Sequence, residues 1–346
     1  MRCLAQLRRA ATAAGLPAHV TPYKCPVPRV IHHRIEHVKP GRLIIVGDVH
    51  GTPELFRLLD SLRYNAASDN LILAGDLVNK GPVSLAILDA VPKLGCWAVR
   101  GNHDDAVLSA WLQFRAGQPL NPKLKWAQDM TDEQAAVLLG LPFTVSVPEY
   151  GITVVHAGLV PGVPIEQQDM WAMYKMRNVV ELKEDGGEGQ RGAGGQGEDA
   201  TRRYQLSVPN VHTPPGRAGD ACKGSSGTPS RSTGQMYRAV EKAKDGGKAW
   251  GALWRGPTHV FFGHDAKRRL QLHPHATGLD TGCVYGGALT AAVMPPLADL
   301  RARSPGFLSR LRSGGALSRK DLMVELVAVE AGEVYSAPVN DGARKG

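Results

Sequence analysis

Gly47-Asp-Val-His-Gly51 directly follows the apolar run Leu43 to Val46, and this handover from run to motif decides the fold. A short apolar run bounded by glycine reads as a buried strand, and glycine lets the backbone turn sharply while leaving room for a bulky ligand. The same construction recurs along the chain. Leu71 to Ala74 leads into Gly75-Asp-Leu-Val-Asn-Lys-Gly-Pro82, and Trp97 to Val99 leads through Arg100 into Gly101-Asn-His-Asp104. Ile152 to Val155 leads into His156-Ala-Gly158, and His259 to Phe262 into Gly263-His-Asp265. A lone Gly-Asp is usually a turn and a lone His usually a core or surface residue. Five such pieces in order, each closing an apolar run, point instead to one shared site.

Between the runs, Leu55, Leu58, Leu59 and Leu62 repeat at helical spacing, as do Leu85, Leu88 and Val91. Leu322 to Val329 is a further strand candidate. Alternating strands and helices followed by a strand-rich second half predict an α/β layered sandwich of two sheets. In an open sheet, side chains just past the carboxyl ends of neighbouring strands converge on one crevice. Carboxylate, amide and imidazole donors without thiolate suit Mn²⁺, Fe²⁺ or Zn²⁺. Seven to eight ligand atoms exceed the needs of one ion, so two divalent ions roughly 3.5 to 4 Å apart, bridged by a carboxylate, are expected. Two cations sharing a water lower its pKa and neutralise phosphoryl oxygens, which permits direct attack on phosphorus without a phosphoenzyme.

The series GD-x-HG, GD-x-V-x-x-G, GNH-[DE], H-x-G and GH resembles that of the calcineurin-like metallophosphoesterases of the phosphoprotein phosphatase superfamily. GDLVNKGP, GNHD and GLDTGCVYGGALTA (278 to 291) resemble the ApaH-like branch, as do HAGLVPGVPIEQQDMWAMYKMRN and LWRGPTHVFFGHDA. The likeness covers about residues 40 to 180 and 250 to 335. It implies a sandwich of two mixed β-sheets flanked by helices. It also implies that Asp48, His50 and Asp76 hold a first metal, with Asp76 bridging, and that Asn102, His156 and His264 complete a second site. His103 takes the general-acid position, and Lys80 stands where protein phosphatases place a phosphate-binding arginine. Lysine there is a compact point charge rather than a bidentate fork.

Asn79 replaces the Asp that orients the acid in protein Ser/Thr phosphatases, so Asp104 or Asp105 is expected to support His103. Arg100 is a candidate phosphate contact or a salt-bridge partner, Tyr285 a residue beside the metals or a packing group, and Arg255 is left open. Cys283 reads as a small core residue. The implied substrates are dinucleoside tetraphosphates, polyphosphate, capped RNA or phosphoproteins. A protein Ser/Thr phosphatase is the alternative within the class; a catalytically silent scaffold or an RNA-binding protein is the alternative outside it.

The 346 residues suffice for a large core, and no apolar run approaches the roughly 18 residues of a spanning helix. Five scattered cysteines suggest neither a disulfide framework nor a thiolate metal site. A reducing, cytoplasmic setting and a monomer are expected. Net charge is +9, but residues 1 to 40 carry +6 and residues 301 to 320 another +6, leaving the rest at −3. Nucleic-acid binding is therefore not indicated by the core. Residues 1–38 read as a basic segment outside the domain, with a chloroplast or mitochondrial transit peptide as the alternative reading. The domain itself is expected over 39–335, with a Gly-rich flexible insertion at about 184–248 containing one short strand, Tyr204 to Val208, and a tail over 336–346.

Overall fold

The computed structural model describes residues 20–182, 236–243 and 247–337. The strands are β1 (His32–Arg34), β2 (Leu43–Val46), β3 (Asn70–Leu73), β4 (Trp97–Ala98), β5 (Thr144–Val147), β6 (Ile152–Val155) and β7 (Asn178–Leu182). They continue as β8 (Met236–Val240), β9 (Lys248–Ala249), β10 (His259–Phe262), β11 (Gln271–Leu272), β12 (Ala276–Gly278), β13 (Ala288–Met294) and β14 (Glu325–Glu330). One mixed sheet has the order β1-β5-β6-β10-β12-β11 and a second the order β14-β13-β2-β3-β4. These are the two mixed sheets that the sequence predicts.

The run Leu43-Ile-Ile-Val46 shows why the strands look uniformly apolar. Leu43 and Ile45 enter the core shared with Val145, Ile152, Val154 and Phe261 of the other sheet. Ile44 and Val46 face the opposite way, into a core built with helices. A strand buried on both faces shows no alternation. The helices covering that outer face are α1 (Glu54–Ser61), α2 (Ser84–Leu94), α3 (Asn102–Arg115) and α4 (Asp132–Gly140). Leu55, Leu58 and Leu59 of α1 and Ile87, Leu88 and Val91 of α2 are buried there, in accord with their spacing. Helix α2 ends at Gly95, which is left-handed, as a helix stop requires. The outer face of the six-stranded sheet packs Val155, Val260 and Phe262 against Tyr174, Trp250 and Trp254.

Two expected boundaries move. The folded chain does not begin at residue 39. Thr21 and Cys25 are buried, the Cys25 thiol donates to the Asp105 carbonyl at 3.2 Å, and Pro26 O accepts from Arg100 Nη1 at 3.1 Å. Strand β1 then pairs in parallel with β5. These contacts span 80 and 74 residues, and basic local composition gives no sign of them. Likewise the expected insertion does not run to 248: β8 and β9 both pair antiparallel with β7 in a third sheet. At the other end, Ser336 still donates to Val284 O at 3.0 Å. The possible strand Tyr204 to Val208, the first nineteen residues with their targeting reading, and residues 338–346 lie outside the described residues. Among the described residues no helix is long and apolar enough to cross a membrane.

Replacing residues 20 to 30 by Gly-Ser of equal length removes the burial of Cys25 and the bond to Arg100. Urea unfolding is expected to show a loss of about 2 kcal/mol or more. An unchanged midpoint would return this strap to the status of a passive tail.

Candidate metal centre

The carboxyl ends of strands from both sheets meet at one edge of the sandwich. Asp48 follows β2, Asp76 follows β3 and Asn102 opens α3 after β4; from the other sheet, His156 follows β6 and His264 follows β10. All five, and His50, are buried. Asp76 is the pivot: its Oδ2 lies 3.5 Å from His50 Nε2, its Oδ1 lies 3.3 Å from His156 Nε2, and Oδ1 accepts the His103 backbone N–H at 2.9 Å. Two potential cation-holding groups result, Asp48–Asp76–His156 and His50–Asp76–His103, with the donor atoms of each within 4.8 Å of one another. Asp76 belongs to both. The Asn102 amide oxygen lies 3.2 Å from His156 Nε2.

Hydrogen bonds on the far side of the rings fix which nitrogen faces the centre. His156 Nδ1 donates to Ala74 O at 2.9 Å, which leaves the Nε2 lone pair toward Asp76 and Asn102. His264 Nε2 donates to Lys175 O at 3.1 Å, which leaves Nδ1 as its acceptor atom. Such outer partners are the usual means of orienting imidazole ligands. The Asp48 carboxylate accepts the His264 backbone N–H at 3.1 Å, a bond that crosses from one sheet to the other.

This convergence strains the backbone. His50, Asp76 and His264 have φ of 51°, 48° and 69°, and Asn79 and Lys80 have 80° and 76°. Non-glycine residues adopt the left-handed region rarely and at a cost of order 1–3 kcal/mol each, typically where function demands it. Space is equally tight: a Cβ on Gly263 would fall on Asp48 Oδ1, and one on Gly101 on Asp76 Oδ1.

Charge in the centre is unbalanced in a manner that cations correct. Burial, with the Asp280 and Asp76 carboxylates close by, holds the Asp48 carboxyl well above its usual range. Burial also opposes ionisation of Asp76, but the rings of His156, His103 and His50 outweigh it and its pKa falls. Burial and the Lys80 ammonium drive His50 well below the ordinary imidazole value, leaving a neutral ring suited to ligation. Lys80 Nζ, itself a cation, lies 3.2 Å from His50 Nε2 and 5.1 Å from the Tyr285 ring centroid. An oxygen and nitrogen donor set, with paired buried carboxylates that repel each other, fits divalent ions.

Some predicted residues are turned elsewhere. Asp104 does not support His103: its Oδ1 accepts from the N–H groups of Leu77 and Val78, and its Oδ2 from Gly101 N, so the carboxylate is spent on backbone. Asp105 pairs with Arg100, which is fully buried and also donates to Pro26 O and Leu139 O. Arg100 is thus the salt-bridge partner and is not brought to the centre. Arg255 donates to the carbonyls of Ala252 and Trp254. The His103 ring is held instead by Asn79, at 2.8 Å from its Nδ1. Asn79 Oδ1 accepts from Lys80 N at 3.0 Å, so its Nδ2 is the atom that donates to the ring.

A model of the calcineurin-like phosphoesterase family matches residues 41–268. The chain belongs to that family. The protein named symmetrical bis(5'-nucleosyl)-tetraphosphatase of Nitrosomonas europaea is 31% identical, over 71% of this chain and 92% of its own length. The protein of that name from Vibrio campbellii is 30% identical over the same shares. A solved structure described as a candidate diadenosine tetraphosphatase matches with a TM-score of 0.59 and 29% identity, covering 87% of this chain and 98% of that one. This calcineurin-like phosphoesterase is therefore a metal-dependent hydrolase, and the family implies a centre of two divalent cations.

Three residues escape the motif reading. Asp280 follows β12 as Asp48 follows β2; it is buried, and burial with the Asp76 charge raises its pKa to about 6. Its place after a strand was the available signal. Lys175 carries the carbonyl that anchors His264, and its ammonium lies 5.4 Å from the Tyr23 ring centroid on the N-terminal strap. Nothing local marks Lys175 or Tyr23, because the fold alone brings them near the centre.

Gly263→Ala is expected to reduce bound metal below half of the wild-type content by atomic emission, while circular dichroism keeps its shape. Full metal content in this variant would mean that the Asp48 carboxylate is not held where the site needs it.

Proposed function

We propose that this phosphoesterase cleaves a dinucleoside tetraphosphate at its central anhydride, giving two nucleoside diphosphates. The likeness to proteins named for that reaction, over 92% of the length of one of them and 71% of this chain, supports the choice of substrate class. The observation that carries it is the Asn79–His103 pair. Since Asn79 Nδ2 donates to His103 Nδ1, the remaining ring proton sits on Nε2. Burial, with Lys80, His156 and Lys175 adding to it against Asp76, draws the His103 pKa down to about 4. At neutral pH this ring is an uncharged donor that offers a hydrogen bond rather than a full proton. That suffices for a departing phosphate oxygen, whose pKa is about 6. It is poorly suited to a serine or threonine alkoxide, which must leave protonated.

Asp48, His50 and Asp76 would hold one cation and Asn102, His156 and His264 a second, with Asp76 common to both. Mn²⁺, Fe²⁺ or Zn²⁺ would there neutralise phosphoryl charge and acidify the attacking water. His103 Nε2 donates to the bridging oxygen as it leaves. Lys80, steadied by the Tyr285 ring, and Lys175, steadied by Tyr23, bind phosphate oxygens to either side of the scissile bond. Cys25, Cys96 and Cys283 are free thiols, which suits the cytoplasm.

With Mn²⁺ and diadenosine tetraphosphate, ion-exchange chromatography is expected to show ADP as the sole nucleotide product, and Asp76→Asn to abolish turnover. His103→Ala is expected to lower kcat about 100-fold, at the lower end for proton-donating groups, with metal content unchanged. Production of AMP and ATP, or cleavage of aryl phosphate without any of the tetraphosphate, would overturn the proposal.

A further inference from the structure

Immediately beyond Lys80 the surface opens into a groove of about 520 Å³ that no step above uses. One wall is the chain from Gly81 into the first turn of α2, presenting Pro82, Val83 and Leu85; the other is Trp126, with Asp129 at the rim. The first wall is built on the machinery of the centre. Gly81 N donates to His50 O at 2.8 Å, Val83 N donates to Gly51 O at 2.9 Å, and Ser84 Oγ accepts from Asn79 N at 3.1 Å. Gln134 of α4 donates to Asp89 Oδ1 at 2.8 Å, which ties the segment after Trp126 to α2.

The lining is chemically mixed: Pro82, Val83 and Leu85 form an apolar strip, Trp126 offers a half-buried indole and Asp129 an exposed carboxylate, and Lys80 immediately precedes Gly81 in the chain. A run of further phosphates meets repulsion from Asp129 there, and an acidic peptide meets the same. A nucleoside 5'-polyphosphate carries the complementary groups: anionic phosphates for the lysine and the centre, a flat uncharged base for the indole, and amino and hydroxyl donors for the carboxylate. The volume lies within the roughly 300–1,000 Å³ of small-molecule sites. We infer that the groove binds the nucleoside of one half of the substrate, its base stacked on Trp126 and its donor groups turned to Asp129. This deepens the proposed function and rests on it for the identity of the substrate, but not for the test.

ADP and inorganic pyrophosphate share a diphosphate and differ by the nucleoside. Each is used as an inhibitor of p-nitrophenyl phosphate hydrolysis by the Mn²⁺-loaded full chain. ADP is expected to inhibit at a concentration about tenfold or more below pyrophosphate, the range given by stacking one base on an aromatic ring. Trp126→Ala is expected to bring the two inhibition constants together, and Trp126→Phe to keep most of the gap. Ala86→Trp, which fills the groove from the other wall, is expected to close the gap as well and serves if Trp126→Ala does not fold. Equal constants in the wild type, or a gap untouched by these substitutions, overturn the inference. If ADP preference is present and depends on Trp126 while diadenosine tetraphosphate is not cleaved, the groove stands and the substrate reading falls.

Discussion

The rest of the molecule depends on keeping one buried carboxylate charged. Asp76 is 2% exposed, and an isolated ion in that position costs several kcal/mol in lost hydration. Imidazoles approach both of its oxygens, and the first turn of α3 donates a backbone N–H to one of them. Those partners come from both sheets and from a helix start, so the charge is stable only when the whole sandwich is assembled. The positive φ values of Asp76, His50 and His264 are the local cost of that assembly.

Much of this is legible in the sequence because the strands are buried on both faces. Leu43–Val46, Ile152–Val155 and His259–Phe262 begin and end where the apolar runs do. A glycine permits the turn after Val46 and after Phe262, while His156 follows Val155 directly, and in each case the next polar residue faces the centre. The six side chains assigned to the cations all converge there. The Asn79 substitution was also visible, and its partner was misassigned for a physical reason. Asp104 sits three residues into a helix whose start exposes N–H groups, and a carboxylate there satisfies backbone before it orients a neighbouring ring.

What stayed hidden is what only distance in sequence creates. The strap around Cys25 is rich in Val and Pro with two basic residues and shows no periodic pattern, yet it caps the buried Arg100–Asp105 pair and supplies Tyr23 beneath Lys175. The end of the Gly-rich stretch looks structureless until β7 offers its edge to Met236–Val240. Trp126 lies in a 3₁₀ turn with no periodic pattern to mark it. In each case burial or pairing is decided by a partner tens of residues away.

Two of the bonds at the centre, His156 to Ala74 and His264 to Asp48, cross from one sheet to the other. They act as a suture along a single rim of the sandwich. Cations gripped there by ligands from both layers would tighten that rim further, whereas the opposite rim is joined by Tyr150 donating to Pro295 O at 2.8 Å and by Glu149 facing Arg301. The two rims therefore differ in kind: the far one is closed by the chain itself, whereas the catalytic one would draw part of its closure from what it binds.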